Sequence, residues 1–178
     1  MKDVRIRPAR PGDEQVIVDL VRELAEYERA ADQAIATPEL FRAALFSEHP
    51  AVFAHIAESV SYGSESDETG AYQVVGFALW FRNFSTWLGK HGIYLEDLYV
   101  RPEFRGHGIG QALMAEIAKI CVEQGYPRFE WWVLDWNELA REVYHHIGAE
   151  ALTEWIPYRL SGSALNELAL NDLAVRPQ

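Results

Sequence analysis

The feature that most constrains the fold of this chain is a glycine-rich turn in its second half, Arg105-Gly-His-Gly-Ile-Gly110. Residues 93–100 before the turn have the composition of a strand, and residues 108–123 after it have the apolar spacing of a helix. Glycines let a ligand approach the backbone closely, and the N–H groups at a helix start attract anions. The sequence therefore predicts a strand–turn–helix unit that binds a diphosphate, with Arg105 adding a positive charge.

Two other interpretations of this turn are a dinucleotide-binding loop of the Rossmann type and a tight turn without a ligand. Against the first, the turn lies past the middle of the chain and a glycine-free helix follows Gly110. The strand before it also carries Glu96 and Asp97, where a Rossmann strand is usually apolar. Against the second, an arginine beside three alternating glycines exceeds what a turn requires.

Apolar periodicity in the rest of the chain predicts an α/β protein of the α+β type, in which one domain spans residues 1–178. We predict strands at residues 4–7, 51–57, 72–81, 93–100, 129–134 and 151–160, and a loop at residues 59–70. We predict helices from Asp13 to Leu24, after Thr37-Pro38 with Thr37 as N-cap, and over residues 108–123 and 137–147. Residues 165–175 form either a terminal helix or a frayed tail.

Composition excludes several classes of function. The formal net charge of −11 argues against nucleic acid as a partner, and it suits either a cationic substrate or simple solubility. The single cysteine, Cys121, allows no internal disulfide, and no Cys/His cluster predicts a metal site. No apolar run approaches the roughly 20 residues of a membrane span, and residues 1–5 do not resemble a signal peptide, so we expect a cytoplasmic protein.

The segment from Val100 to Gly110 resembles the acetyl-CoA motif of the GNAT acetyltransferase superfamily, Arg/Gln-x-x-Gly-x-Gly/Ala. Within the superfamily the chain resembles the spermidine/spermine and thialysine acetyltransferases, over nearly its whole length to about Arg159. The stretches that carry this closer resemblance are Ile6-Arg7-Pro8-Ala9, Glu23-Leu24-Ala25-Glu26-Tyr27-Glu28, Glu48-His49-Pro50, Val75-Gly76-Phe77-Ala78, Trp87-Leu88-Gly89-Lys90, Tyr94-Leu95-Glu96-Asp97 and Val133-Leu134-Asp135-Trp136-Asn137.

This resemblance implies the GNAT fold, a mixed and mostly antiparallel sheet of about six to seven strands, flanked by helices, whose two central strands splay apart. Acetyl-CoA would enter the gap between those strands. The implied cofactor-binding residues are Leu98, Tyr99 and Val100 for the pantetheine arm, Arg105, Gly106, His107, Gly108, Ile109, Gly110 and Gln111 for the diphosphate, and Asn137, Ala140 and Tyr144 on the other side.

Acetyl transfer to an amine needs a base that removes a proton, donors for the oxyanion and an acid for the departing thiolate. The resemblance places the acid at Tyr144, within Asn137-x-x-Ala-x-x-x-Tyr144, and a carbonyl-polarising N–H near Leu98. Glu96 is the candidate base, acting through water. Strand alternation predicts that Glu96 shares a face with Tyr94, Leu98 and Val100, and that Asp97 points to the opposite face, where it bonds a neighbouring loop.

Substrate recognition is assigned by the same resemblance to Tyr27 and Glu28 at the end of the first helix, with Glu96, Trp87 and Glu154. A carboxylate beside an aromatic ring suits an alkylammonium group. The polyamine enzymes carry an acidic residue two positions before the Trp-x-Gly-Lys segment, whereas this chain has Ser85. One anionic contact is therefore missing, which favours a shorter amine or an amino acid with a side-chain amine over long polycations.

Three other functions remain open at this point: acetylation of a protein or peptide amine, a non-catalytic acyl-CoA-binding module, and a nicotinamide oxidoreductase. A peptide substrate needs a groove, which the bulky segment from Phe84 to Gly92 would obstruct. The presence of Tyr144 and Glu96 argues against a purely binding role. Relatives in the family are usually dimers, so we expect a homodimer, with the predicted strand Trp155-Ile156-Pro157-Tyr158 forming part of the contact.

Overall fold

A computed structural model describes residues 4–60 and 72–170, which fall into two compact units that meet in sequence between Trp136 and Asn137. In the first unit the elements are β1 (Val4–Pro8), α1 (Glu14–Tyr27), α2 (Pro38–Leu45), β2 (Val52–Val60), β3 (Tyr72–Ser85), β4 (Lys90–Val100), α3 (Ile109–Glu123) and β5 (Phe129–Trp131), with short 3₁₀ turns at Ala31–Gln33 and Pro102–Phe104. The second unit contains α4 (Glu138–His146) and α5 (Gly162–Leu170).

The sheet of the first unit has the strand order β1-β2-β3-β4-β5. The first four strands are antiparallel to their neighbours, and β5 runs parallel to β4. This confirms a mixed, mostly antiparallel sheet of the predicted fold class. The predicted count of six to seven strands is wrong for the described residues, which contain five.

One of the six predicted strands is missing, and another is shorter than predicted. Residues 151–160 form a turn and irregular chain instead of a strand, so the predicted strand at Trp155-Ile156-Pro157-Tyr158 is wrong. Pro157 lies inside the segment, and proline has no N–H to donate to a strand ladder. The other strand is shorter than expected, because only residues 129–131 of the range 129–134 pair with β4.

The predicted helices are present close to their expected bounds. Thr37 is the N-cap of α2 and its side chain accepts from the Leu40 N–H, as the Thr-Pro start predicts. Of the predicted loop at residues 59–70, Ser59 and Val60 belong to β2 and residues 61–70 lie outside the described chain. The terminal segment is helical through Leu170. Residues 171–175 of that prediction also lie outside the described chain.

The core of the first unit lies between α1, α2 and one face of the sheet. Its buried residues are Ile17, Leu20, Leu24, Leu45, Ala54, Ile56, Phe77, Leu79 and Tyr99. The start of α1 is fixed to the sheet by Arg7, whose guanidinium bonds Asp13 at 2.7 Å and Glu58 at 2.9 Å. The orientation of α1 fixes the position of its last residue, Tyr27, which is one of the predicted substrate-binding residues. Within the described ranges, no helix is both long and apolar enough to cross a bilayer.

Candidate active site

The glycine-rich turn joins β4 to α3, as the sequence predicts. Gly106 and Gly108 have φ values of 74° and 76°, in the left-handed region that glycine adopts without strain. A Cβ atom at either position would meet nothing within 4 Å, so the space beside the turn is open. Gly108 is the N-cap of α3, whose first turn has no acidic side chain. The N–H groups and dipole of that turn therefore favour an anion. The other residues predicted for the diphosphate, His107, Ile109, Gly110 and Gln111, lie in this turn and at the start of α3.

The last residues of β4, which lead into the turn, are paired along one edge of the strand and unpaired along the other in the described ranges. On one side β4 pairs with β3, with Leu98 opposite Ala78 and Val100 opposite Gly76. β5 pairs with β4 only at residues 93–95. In the described ranges, no strand therefore pairs with residues 96–100 on the β5 side. The backbone of Leu98, Tyr99 and Val100 is thus available to an extended ligand, in agreement with the predicted splay.

Arg105 folds back over the end of β4. Its Nε donates to the Val100 carbonyl oxygen at 2.8 Å. Its guanidinium carbon lies 4.8 Å from the ring centre of Tyr27 and 5.4 Å from that of Tyr99. These contacts are cation–π interactions, and they connect the glycine-rich turn to the end of α1. The sequence predicts the charge of Arg105 at this turn but not its orientation.

A β-bulge at Glu96 changes which side chains of β4 share a face. Leu95 pairs with Trp80 and Asp97 pairs with Leu79, so Glu96 is an extra residue between two successive pairs. The predicted alternation is therefore wrong, and Tyr94 lies on the face opposite to Leu98 and Val100. Tyr94 pairs with Phe81, and Asp97 lies on that same face. Glu96 itself is exposed.

The bulge places Asp97 on the face of the sheet that packs against α1, because its pairing partner Leu79 belongs to that core. Burial, with repulsion from Glu96 and Glu28, raises the pKa of Asp97 to about 6. Burial also raises the pKa of Glu28, the C-cap residue of α1. Two carboxyl groups, those of Glu96 and Glu28, thus act on the carboxyl group of Asp97, which favours a cation as its partner.

An aromatic pair lies at the same end of α1. The rings of Tyr27 and Trp136 have their centres 5.7 Å apart, and the Arg29 guanidinium carbon lies 5.4 Å from the ring centre of Trp136. The sequence predicts Tyr27 and Glu28 as the helix end, which is confirmed. It misses Arg29 and Trp136. A left-handed backbone at Arg29, φ 61°, is the structural signal that marks this position.

Trp87 lies at the tip of the β3–β4 hairpin and is 89% exposed. In the second unit, Asn137 is the N-cap of α4, and its side chain accepts from the Ala140 N–H at 3.3 Å. Tyr144 follows seven residues after Asn137, about two helical turns along α4. Glu154 lies in the irregular segment after α4. The predicted helix that carries Asn137, Ala140 and Tyr144 is therefore present.

Comparison with known proteins identifies related chains over most of this sequence. Residues 19–149 match the model of the acetyltransferase (GNAT) family. The chain is 41% identical over 172 residues to a thialysine N-epsilon-acetyltransferase from Bos taurus, covering 95% of this chain and 99% of that protein. It is 30% identical over 198 residues to an L-ornithine N5-acetyltransferase from Arabidopsis thaliana, covering 92% and 87% of the two chains.

A solved structure shares the same fold. An integron cassette protein from V. cholerae superposes with a TM-score of 0.69 and 30% sequence identity. The alignment covers 94% of this chain and 98% of that chain. The open strand edge and the glycine-rich turn thus occur in a chain that matches one family model over residues 19–149.

Proposed function

Because this chain belongs to the acetyltransferase (GNAT) family and is an acetyl-CoA-dependent N-acetyltransferase, we propose that its acceptor is a primary amine of a small molecule. The acceptor class is a diamine or polyamine, or an amino acid that resembles thialysine. The observation that carries this proposal is the 41% identity to a thialysine acetyltransferase along almost the whole chain. The carboxyl groups around Asp97, in a chain of net charge −11, also favour a cationic acceptor.

The residues around the glycine-rich turn fit coenzyme A. We propose that N–H groups from Gly106 to Gln111 hold its diphosphate, and that the open edge of Leu98, Tyr99 and Val100 pairs with its pantetheine arm. Two observations support this assignment: the open space at the left-handed glycines, and the unpaired side of β4. When bound, acetyl-CoA supplies the activated acetyl group as a thioester.

We propose that two side chains move protons. Glu96, which the bulge leaves exposed, accepts a proton from the acceptor ammonium through water, because only the neutral amine is a nucleophile. The Oη–H of Tyr144 donates a proton toward the departing sulfur, since a phenol remains protonated at neutral pH. Asn137 and Ala140 hold the start of α4 and contact the donor, and the N–H near Leu98 polarises the acetyl carbonyl.

Recognition of the acceptor is proposed for Tyr27, Glu28, Glu96, Trp87 and Glu154. Tyr27, whose ring packs against Trp136, and the acidic residue that follows it, Glu28, support a contact with an alkylammonium group. Ser85, which is buried at the end of β3, supplies no negative charge at a position where the polyamine enzymes have one. This difference supports the shorter amines over spermine.

We further propose that residues 1–178 form one catalytic domain, which is supported by a family match that crosses from the first compact unit into the second. We propose a homodimer, for which Trp155, Ile156 and Tyr158 offer exposed apolar side chains. Light scattering after size-exclusion chromatography tests for twice the 20.3 kDa chain mass. We propose a cytoplasmic location, in keeping with a single cysteine and no internal disulfide.

The acceptor proposal is tested by incubating the purified full chain with acetyl-CoA and a panel of single amines. The panel contains thialysine, lysine, ornithine, putrescine, cadaverine, spermidine and a short peptide with a free N-terminus. Release of free thiol is followed with time. We expect release with at least one of the small amines and none with the peptide. Release with the peptide alone would contradict a small-molecule acceptor, and binding of acetyl-CoA without release would indicate a binding module.

A further inference from the structure

Helix α1 ends in a Schellman motif with an unusual residue at its key position. The Ala30 N–H donates to the Ala25 carbonyl oxygen at 2.8 Å, and the Arg29 N–H donates to that of Glu26 at 3.1 Å. Arg29 therefore occupies the left-handed position, with φ of 61°, that is usually glycine. It is the one non-glycine residue with positive φ in the described chain. Left-handed backbone is costly for an L-residue, and such strain is typical of functional positions.

The Arg29 side chain joins a continuous line of contacts that leads to the glycine-rich turn. Its guanidinium carbon lies 5.4 Å from the ring centre of Trp136, and that ring lies 5.7 Å from the ring of Tyr27. The guanidinium carbon of Arg105 lies 4.8 Å from the ring centre of Tyr27, and its Nε donates to the Val100 carbonyl oxygen. The strained arginine is thus held at the edge of the proposed acceptor site.

Among the described residues, Arg29, like Arg82 and Arg105, lacks the ion pair that several other arginines of this unit form. Arg7, Arg42 and Arg101 each form an ion pair with a carboxylate. Across residues 4–60 and 72–170, no carboxylate lies within ion-pairing distance of Arg29, although the chain has a net charge of −11. The side chain is exposed, and its guanidinium is positioned by a ring instead of by an anion.

We propose that Arg29 binds the carboxylate of the acceptor, and that the acceptor is therefore an amino acid with a side-chain amine instead of a diamine. This inference rests on the proposed function. A guanidinium binds a carboxylate through two parallel N–H bonds, and a ring beneath it fixes the plane of those donors. The acidic groups Glu28, Glu96 and Asp97 lie nearby and suit the amine end. A zwitterionic acceptor is then oriented from both ends.

The test compares acceptors that differ only in the carboxylate: ornithine with putrescine, and lysine with cadaverine. In Arg29→Asn the charge is lost, while asparagine tolerates left-handed backbone. We expect KM for the two amino acids to rise about tenfold or more, as loss of a charged hydrogen bond does, with KM for the diamines and acetyl-CoA unchanged. Arg29→Lys keeps the positive charge and should therefore retain part of the preference for amino acids over diamines.

Arg82→Asn is the matched control, since Arg82 is an exposed arginine over an aromatic ring, 5.7 Å from the centre of Phe53. It should leave the preference for amino acids unchanged. A second readout does not depend on turnover: Arg29→Gly relieves the backbone strain, so its Tm should equal or exceed that of the parent chain. Ornithine should raise the Tm of the parent chain more than that of Arg29→Gly.

Several results would overturn the inference. Equal losses for amino acids and diamines in Arg29→Asn would make Arg29 a structural residue, and a raised KM for acetyl-CoA alone would assign it to the donor. A parent enzyme that acetylates diamines but neither amino acid contradicts the role of Arg29 and leaves the proposed function intact. Failure with every amine in the panel contradicts the proposed function itself, and the inference with it.

Discussion

The carboxyl group of Asp97 shows how one extra residue in a strand alters the chemistry of a site. The bulge at Glu96 turns Asp97 toward the core side of the sheet, where burial and two neighbouring carboxyl groups raise its pKa from the ordinary 3.8 to about 6. The folded chain therefore binds this proton more tightly than the unfolded chain does. The associated stability is fully present below the lower of these values and is lost as the pH rises through 6.

Asp97→Asn removes the free-energy cost of ionising this carboxyl group in the folded chain. We expect the free energy of unfolding at about pH 8 to rise by about 1–2 kcal/mol, which allows for solvent screening of a partly exposed group. At about pH 3, below both pKa values, the carboxyl of the parent chain is mostly protonated in the folded and the unfolded state, so the two proteins should differ little. Urea unfolding at both pH values measures the difference. A gain of the same size at both would show that the charge of Asp97 is not its cause.

Tyr144 is the residue whose chemical role is most open to direct test. Tyr144→Phe removes the Oη–H and keeps the ring, so packing is preserved while the proposed proton donor is lost. We expect kcat to fall on the order of a hundredfold. The Kd for coenzyme A, measured by calorimetry, should stay nearly unchanged. An unaltered kcat would remove Tyr144 from the role of acid.

At the scale of elements, the turn between β4 and α3 depends on backbone conformation more than on side chains. Gly108→Ala places a Cβ in open space, so its cost comes from the left-handed φ of 76°. We expect a loss of stability of about 1–2 kcal/mol and at least a tenfold weaker Kd for coenzyme A, because the start of α3 shifts.

The matched control is Gly125→Ala. Gly125 has a φ of 65°, and its Cβ would also meet nothing within 4 Å, but it follows the other end of α3. It should cost similar stability and leave the affinity for coenzyme A intact. Calorimetry on both variants makes the comparison. If both lose affinity equally, general destabilisation of α3 explains the effect and the turn has no special role.

The sequence predicts elements well where one property repeats along the chain. The apolar stripe of α1, the Thr37 cap of α2 and the glycine turn before α3 are local patterns, and all three are present. The bulge at Glu96 could not be predicted, because it is a relation between β3 and β4 and leaves no mark in either strand alone.

The same contrast applies to the candidate site. Tyr27 and the turn residues follow from motifs, whereas Trp136 reaches Tyr27 only after the chain has folded. Arg29 carries a weak sequence signal, since it stands directly after the C-cap of α1, where glycine is common. The strand predicted at residues 151–160 failed because its aromatic residues suggested a sheet that Pro157 does not support.

At the scale of the whole molecule, we propose that one chain both binds coenzyme A and selects small amines as acceptors. The family match and the 41% identity to a thialysine acetyltransferase establish the class of enzyme. The glycine-rich turn, the open edge of β4 and the acidic groups around Asp97 give that class a physical basis in this chain. The identity of the acceptor is the point on which the proposals depend.

The most direct test is to measure the rate of coenzyme A release from acetyl-CoA with ornithine, lysine or thialysine, and to identify the product by mass spectrometry. We expect release that requires both substrates, and an amine product that has gained one acetyl group on its side-chain nitrogen. Well-folded protein that binds acetyl-CoA but acetylates no amine in the panel would contradict this expectation, as would acetylation restricted to peptide termini.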